Sequence, residues 1–244
     1  MGYTHNLEGE FLRSTFSFID GQDNVYSGQA PIRVGLLSSE DFRKSLKRVP
    51  DENVYPKPPA EITIVSIEAM GNVYIKRPKL VSYEELVGEE LGRKDLVAEM
   101  LLEEVKTLEF LMRNPHPNFV RYHGCIVRRD RITGLVLDRY PITLADRVKE
   151  GAQGFKKGSW VEAIESGVKH LHSLGLAHND LNPANIMFNE DDNPIIIDFG
   201  SCKPFGESLI SAGTPGWIDE EFTTSEQRHD EIALGKIRTW LEEK

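Results

Sequence analysis

What most restricts the folds open to this chain is one polar loop set between short apolar runs. Residues Leu176 to Phe188 read Leu-Ala-His-Asn-Asp-Leu-Asn-Pro-Ala-Asn-Ile-Met-Phe, and Pro194-Ile195-Ile196-Ile197 then ends in Asp198-Phe199-Gly200. Asp180 and Asn185 stand five apart on the loop and Asp198 closes an apolar strand, so three hard oxygen groups are expected to converge on one point. Magnesium prefers one or two carboxylates together with phosphate oxygens. Asn185 and Asp198 therefore read as metal ligands, and Asp180 is left to accept a proton from an attacking hydroxyl. An isolated Asp is by default a cap or turn former; the shared spacing with Asn185 argues otherwise here.

The chain has 244 residues, which suits one bilobal domain or two small ones. With 39 acidic against 29 basic residues the net charge is −10, which repels phosphate backbones and argues against nucleic acid as a partner. No apolar run approaches the ~18 residues that would span a bilayer, so no membrane partner is expected. Cys125 and Cys202 lie far apart without ligand spacing, against a disulfide framework or structural zinc and in favour of a reducing compartment. Met1-Gly2 lacks the Ser or Thr of a myristoylation signal at Asn6, and no apolar leader follows. A cytoplasmic start is the expectation.

Pattern divides the chain into 1–60, 61–139 and 140–244. In the first part, 13–19 and 31–37 read as strands around the turn Asp20-Gly21, and Ser38 to Asp41 as the N-cap of a helix reaching Val49. Four prolines between 50 and 59 make a stiff connector. Next come strands 62–67 and 73–76 around Gly71-Asn72, a helix from about Asp95 to Met112 with Leu101, Val105, Leu108 and Leu111 on one face, and strands 120–127 and 134–137. Beyond Pro141 the pattern turns helical, with Trp160, Ile164, Val168 and Leu171 on one face and Gly175 at a left-handed C-cap.

Together these residues resemble a protein kinase. The catalytic loop surrounds Asp180, and Asp198-Phe199-Gly200 is the second motif. Val73-Tyr74-Ile75-Lys76 resembles the strand carrying the phosphate-binding lysine. Glu104, chosen over Glu103, lies where that lysine's partner belongs. His116-Pro117-Asn118-Phe119-Val120 is similar to the turn after the helix, Leu135 to Tyr140 to the hinge under adenine, Gly213-Thr214-Pro215-Gly216-Trp217 to the end of an activation segment, and Asp230 with Gly235 to the helix anchoring the catalytic loop. The similarity runs from 61 to 240, and the set resembles compact fungal kinase-like proteins with a shortened C-lobe and no Gly-rich loop. The resemblance implies an α+β, bilobal protein-kinase-like fold with a small β-rich N-lobe, one long helix and a truncated, mainly helical C-lobe. It also implies ATP and Mg²⁺ as cofactors. Asp180, Lys76 and Glu104 are then catalytic, and Asn185 and Asp198 bind metal. Lys76, Tyr74, Leu137, Asp138, Tyr140 and Met187 contact the nucleotide, although Met187 is equally consistent with ordinary core packing.

Departures from that pattern shape the functional expectation. No G-x-G-x-x-G precedes Lys76. Tyr74 must share a face with Lys76, because strand side chains alternate, and either stacks on the base or fills its pocket. Asn179 replaces the usual Arg, so switching by phosphorylation is not expected, although Ser208, Ser211 and Thr214 are available hydroxyls. Asn182 replaces the usual Lys, and losing one such preorganised group typically costs ~10²-fold or more in rate. Asp219-Glu220-Glu221 stands where Ala-Pro-Glu is usual, and the late helix with the partnering Arg is missing. Residues 1–60 are expected to cover the surface of the absent helices. His178 reads as a packed core histidine and Asp230 as a tie to backbone amides. Three functions follow: a phosphotransferase of reduced activity acting on a protein or small-molecule hydroxyl, a pseudokinase with a blocked pocket, or a small-molecule kinase, whose loop His178-Asn179-Asp180 with Asn185 also resembles. Oligomeric state is open.

Overall fold

The computed structural model describes residues 2–5, 10–68, 70–80, 83, 93–151, 157–210 and 213–244. The chain falls into two compact units: residues 1–68, 75–103 and 124–136, and residues 69–74, 104–123 and 137–244. Among the described residues no helix is long and apolar enough to cross a membrane.

In the first unit, β1 (Gly2–His5), β2 (Phe11–Ile19), β3 (Val25–Ala30) and β4 (Lys47–Arg48) form a sheet in sequential order. Asp20 shapes the β2–β3 turn, its carboxylate accepting from the Gln22 and Asn24 backbone N–H groups at 2.9 and 2.8 Å. Strand β3 is absent from the sequence reading, and residues 31–37, expected as a strand, hold only a short turn of 3₁₀ helix. Ser27, Gly28 and Gln29 lack the alternation that marks a strand, yet Ser27 is buried and pairs with Ser17. Helix α1 (Ser39–Ser45) begins at the expected cap, where Ser38 and Asp41 form a reciprocal capping box. It ends at Ser45 rather than Val49 because Leu46 turns extended and β4 pairs with β3 at Tyr26↔Arg48. Phe16 lies edge-on to Phe42 at 4.8 Å.

A core of Val25, Val49, Val54, Tyr55, Tyr83 and Val97 fills this unit. Hydrogen bonds add to it: Ile132 N–H donates to Pro56 O at 2.9 Å, and Arg129 reaches Asp51, Gln22 O and Asp23 O. The buried Asp23 carboxylate is paired with Arg77 and Arg128 at 2.5 and 3.3 Å. Residues 10–60 are thus tied to later segments of their own unit. The strands β5 (Val73–Lys76), β7 (Arg131–Asp138) and β6 (Tyr122–Arg128) form a sheet in that order. Residues 62–67, expected as a strand, make a single parallel bridge, Ile64↔Cys125. Gly124 takes a positive φ of +138° there, and a β-carbon on it would come within 2.7 Å of Thr63 O.

The second unit contains the later part of α2 (Leu96–Arg113), then β8 (Ile142–Thr143), α3 (Leu144–Lys149), α4 (Lys157–Ser173), β9 (Leu176–Ala177), β10 (Ile186–Phe188), β11 (Pro194–Ile196), β12 (Lys203–Pro204) and α5 (Gln227–Glu242). The expected faces are buried: Leu101, Val105, Leu108 and Leu111 along α2, and Trp160, Ile164, Val168 and Leu171 along α4. Gly175 caps α4 at φ +78°, donating to His172 O at 2.9 Å. Asn118 sews the turn after α2 to β11: its amide donates to Pro194 O at 2.8 Å, and Ile196 N–H donates to Asn118 O at 2.7 Å. Strands β8, β10 and β11 pair antiparallel and present the loop 178–185.

Candidate active site

The loop is held from below by one buried carboxylate. Asp230, in the first turn of α5, accepts from the backbone N–H groups of His178 (2.8 Å) and Asn179 (2.9 Å), and from His172 Nε2 (2.9 Å). This is the tie expected from the sequence. His178 is fully buried and lies 5.2 Å from Phe199, ring centre to ring centre. Its Nδ1 accepts from Asp180 N–H at 3.3 Å, so its Nε2 is the donor to Ile197 O at 3.0 Å. No chemical role is left to it.

Asn179 adopts a left-handed backbone, φ 61°, and its buried amide joins three segments. Nδ2 donates to Ala177 O, Ser201 O and Ser225 Oγ at 2.9, 3.0 and 3.0 Å, and Oδ1 faces His229 Nδ1 at 3.2 Å. Where kinases usually carry an Arg, this chain has a neutral hub. His229 stacks on Phe222 at 3.5 Å, and burial pulls its pKa below the usual imidazole value.

Asp180 is the one carboxylate of the loop 178–185, and it is held from several sides. Its Oδ1 accepts from Thr214 N–H (2.8 Å), Thr214 Oγ1 (2.7 Å) and Asn182 Nδ2 (3.2 Å). Its Oδ2 accepts from Asn185 Nδ2 at 3.1 Å, which leaves that oxygen room for a further proton. Asn182 is buried, and its amide bridges Asp180 and Thr214, so a neutral donor stands where a lysine is usual. Asn185 Nδ2 also donates to Asp180 O at 2.8 Å. That orientation directs the amide nitrogen to Asp180 and leaves Oδ1, a hard carbonyl oxygen, as a ligand for a cation.

Asp198 caps a 3₁₀ turn from a left-handed backbone at φ 59°, with Gly200 N–H 3.4 Å from its Oδ1. Glu104 is buried, and a β-carbon on Gly200 would lie 3.2 Å from Asp198 Oδ1 and 3.6 Å from Glu104 Oε2. The two carboxylates therefore flank this glycine. Asn185 and Asp198 offer an amide oxygen and a carboxylate, a donor set that fits magnesium.

Other candidate residues stand as follows. Lys76 ends β5 and is partly buried. Tyr74 is 47% exposed, with the Arg139 guanidinium 5.8 Å over its ring and Arg139 Nη2 donating to Val73 O. Leu137 is buried at the end of β7. Asp138 Oδ1 meets His123 Nε2 at 2.6 Å, and burial raises the Tyr140 phenol above its ordinary value. The Asp138 and Tyr140 side chains line a depression of about 770 Å³ with His116, Phe119 and His123, which includes none of Asp180, Asn185 or Asp198. Met187, partly buried, sits mid-strand between Ile195 and Thr143. Ser208 is exposed and bridges to Thr224, while Ser211 lies outside the described residues.

Sequence reasoning missed the grip of Thr214 on Asp180, and the signal was available in Gly213-Thr214-Pro215. It also missed Ser225 and His229, whose contacts with Asn179 span about fifty residues of chain. Glu220, at the Pro position of the Ala-Pro-Glu pattern, lies 3.3 Å from Arg228 of α5 in an exposed pair, which is not the pairing of the pattern's Glu, the place held here by Glu221.

Residues 79–233 match the family described as protein kinase domain. Serine/threonine-protein kinase AtPK2/AtPK19 of Arabidopsis thaliana is 28% identical over 241 residues, 94% of this chain and 44% of that protein. Serine/threonine-protein kinase/endoribonuclease IRE1 of Hypocrea jecorina is 32% identical over 139 residues, 49% of this chain and 11% of its own length. Serine/threonine-protein kinase TAO1-A of Xenopus laevis is 29% identical over 141 residues, 56% of this chain and 14% of that protein. The chain thus spans less than half the length of each of these relatives.

Proposed function

The chain belongs to the protein kinase domain family, and on that footing we propose that it transfers the γ-phosphoryl group of ATP to a hydroxyl, with magnesium. One observation supports this most: Asp180 is oriented by Thr214, Asn182 and Asn185 while its Oδ2 keeps capacity for a proton. In the transfer, the acceptor oxygen attacks the γ-phosphorus and the bond from that phosphorus to the β–γ bridging oxygen breaks. ADP leaves, and the hydroxyl proton passes to Asp180 Oδ2. Asn185 Oδ1 and Asp198 would hold magnesium, which when bound neutralises charge on the phosphate oxygens. Lys76 is the candidate for the α and β phosphates. A protein serine or threonine is the acceptor class favoured, because the relatives named above carry that activity in their names; a small-molecule hydroxyl is the alternative.

A second reading has its own support. With Asn182 instead of a cation beside Asp180, transfer is expected to be slowed ~10²-fold or more, which suits a pseudokinase binding partners through a retained fold. Incubation with radiolabelled ATP, magnesium and a panel of Ser/Thr proteins and small alcohols separates these readings. Label transfer by the unmodified chain, lost in Asp180→Asn, is the result expected. Equal label in both would exclude Asp180 as the base, and no label from either would favour the pseudokinase.

A further inference from the structure

Residues 31–48 of the first unit lie outside the segment 79–233 that matches the family, and their charge is opposite to that of the chain. Arg33, Arg43, Lys44, Lys47 and Arg48 against Glu40 and Asp41 give +3 in a chain of net charge −10. All five cations are exposed. Lys44 pairs with Glu40 at 2.7 Å and Arg48 with Asp51 at 3.2 Å, whereas Arg43 and Lys47 are in no ion pair among the described residues. Asp41 is turned back to Ser38 by the capping box, and Phe42 turns inward onto Phe16, which leaves Arg43 and Lys44 on the outer surface of α1. Beside these cations stand apolar side chains in water: Leu12, Ile32 and Leu36 are 49, 39 and 76% exposed. The turn that carries them is ordered. Ser14 Oγ donates to Ile32 O at 2.7 Å, the Arg33 guanidinium lies 4.9 Å over the Phe11 ring, and Leu36 N–H donates to Arg33 O at 2.9 Å. A β-carbon on Gly35 would meet nothing within 4 Å, so the tip stands clear of the rest of the chain.

We propose that residues 31–48 rest on an anionic lipid bilayer, Leu36 entering the boundary between headgroups and acyl chains while Arg43, Lys47 and their neighbours meet the headgroups. A lone exposed leucine is ordinary on a protein surface. One held out on an ordered turn, within a basic stretch of an acidic chain, combines the two attractions that hold a protein on a membrane surface: burial of apolar area and the field of anionic lipids. A soluble acidic segment would answer the charge but leave Leu36 in water, whereas a bilayer takes up both. Binding of this kind needs no bilayer-spanning run, so the lack of one in this chain does not bear on it. The remainder of the chain is repelled by the same surface, which orients the molecule with this patch foremost.

The test is co-sedimentation of the full chain with phosphatidylcholine vesicles that contain or lack phosphatidylserine. Binding to the phosphatidylserine vesicles alone is expected, weakening as salt rises. Arg43→Gln together with Lys47→Gln should weaken it at least about tenfold, since each cation near such a surface contributes about fivefold. Leu36→Ser, which leaves charge unchanged, should independently weaken it at least about fivefold. These side chains are exposed, so melting curves of the variants should match the parent's. Asp180→Asn should bind as the parent does, whether or not the chain transfers phosphate. Parent-like binding by the double variant or by Leu36→Ser would overturn the proposal, as would equal binding to both vesicle types or binding to neither. Saturable binding of a labelled hexa-glutamate peptide by a chain that ignores both vesicle types would assign the patch to an acidic protein segment and likewise overturn it.

Discussion

Replacing Asp230 with Asn removes a charge and half of an anchor without changing volume. In the native chain the two carboxylate oxygens receive His178 N–H at 2.8 Å, Asn179 N–H at 2.9 Å and His172 Nε2 at 2.9 Å, all at a fully buried residue. An amide keeps one acceptor and turns a donor toward a donor, so at least one buried backbone N–H is orphaned. A stranded buried donor costs about 1–3 kcal/mol, more where the lost acceptor was charged, so about 2–4 kcal/mol is expected here. At about 2–4 °C per kcal/mol for a chain of this size, Tm should fall by about 5–15 °C. Urea unfolding followed by circular dichroism gives the same free energy from the midpoint, provided the slope is unchanged. Because the released amides are those of His178 and Asn179, immediately before Asp180, phosphoryl transfer should drop in parallel even well below Tm. A variant within about 0.5 kcal/mol of the parent, the range of ordinary surface changes, would refute the assignment of Asp230 as the loop's anchor.

Other consequences are as direct. Thr214→Ala deletes the 2.7 Å hydroxyl bond to Asp180 but keeps the backbone one, so transfer should fall on the order of tenfold with stability within about 0.5 kcal/mol; steady-state kinetics beside a melting curve checks both. Gly124→Ala puts a β-carbon 2.7 Å from a backbone oxygen at φ +138°, and should lower stability by at least about 2 kcal/mol in urea unfolding. His229 and His116 both have folded pKa values lowered by burial. The unfolded chain therefore binds more protons below the unperturbed value near 6.5. Stability should be fully present above that pH and decline as pH falls through it, and His229→Gln should flatten the decline in Tm measured from pH 7.5 to 5.5.

Much of this was legible from local pattern, and what was not shares one cause. The faces of α2 and α4, the cap at Gly175 and the capping box at Ser38 depend on spacings within a few residues. The role of Asp230 followed from its place in a known motif. By contrast, β3 carries Ser27-Gly28-Gln29 and is a strand only because β2 and β4 flank it. Helix α1 stops early for the same reason. The polar hub at Asn179 and the grip of Thr214 on Asp180 join residues 22 to 50 positions apart, so their geometry exists only once the chain has folded. Asn179 and Asn182 read as losses of charge in the sequence. In the fold each is also a gain: a neutral amide satisfying buried acceptors that a long cation would have to displace.

The central claim is that Asn185 and Asp198 serve a magnesium–nucleotide complex beside Asp180. A thermal-shift titration with ATP, with and without magnesium, tests it most directly when run on the parent and on Asp198→Ala. Stabilisation that requires magnesium and vanishes with the substitution is the result this account predicts. No shift at millimolar nucleotide, or a shift equally large in Asp198→Ala, would contradict it.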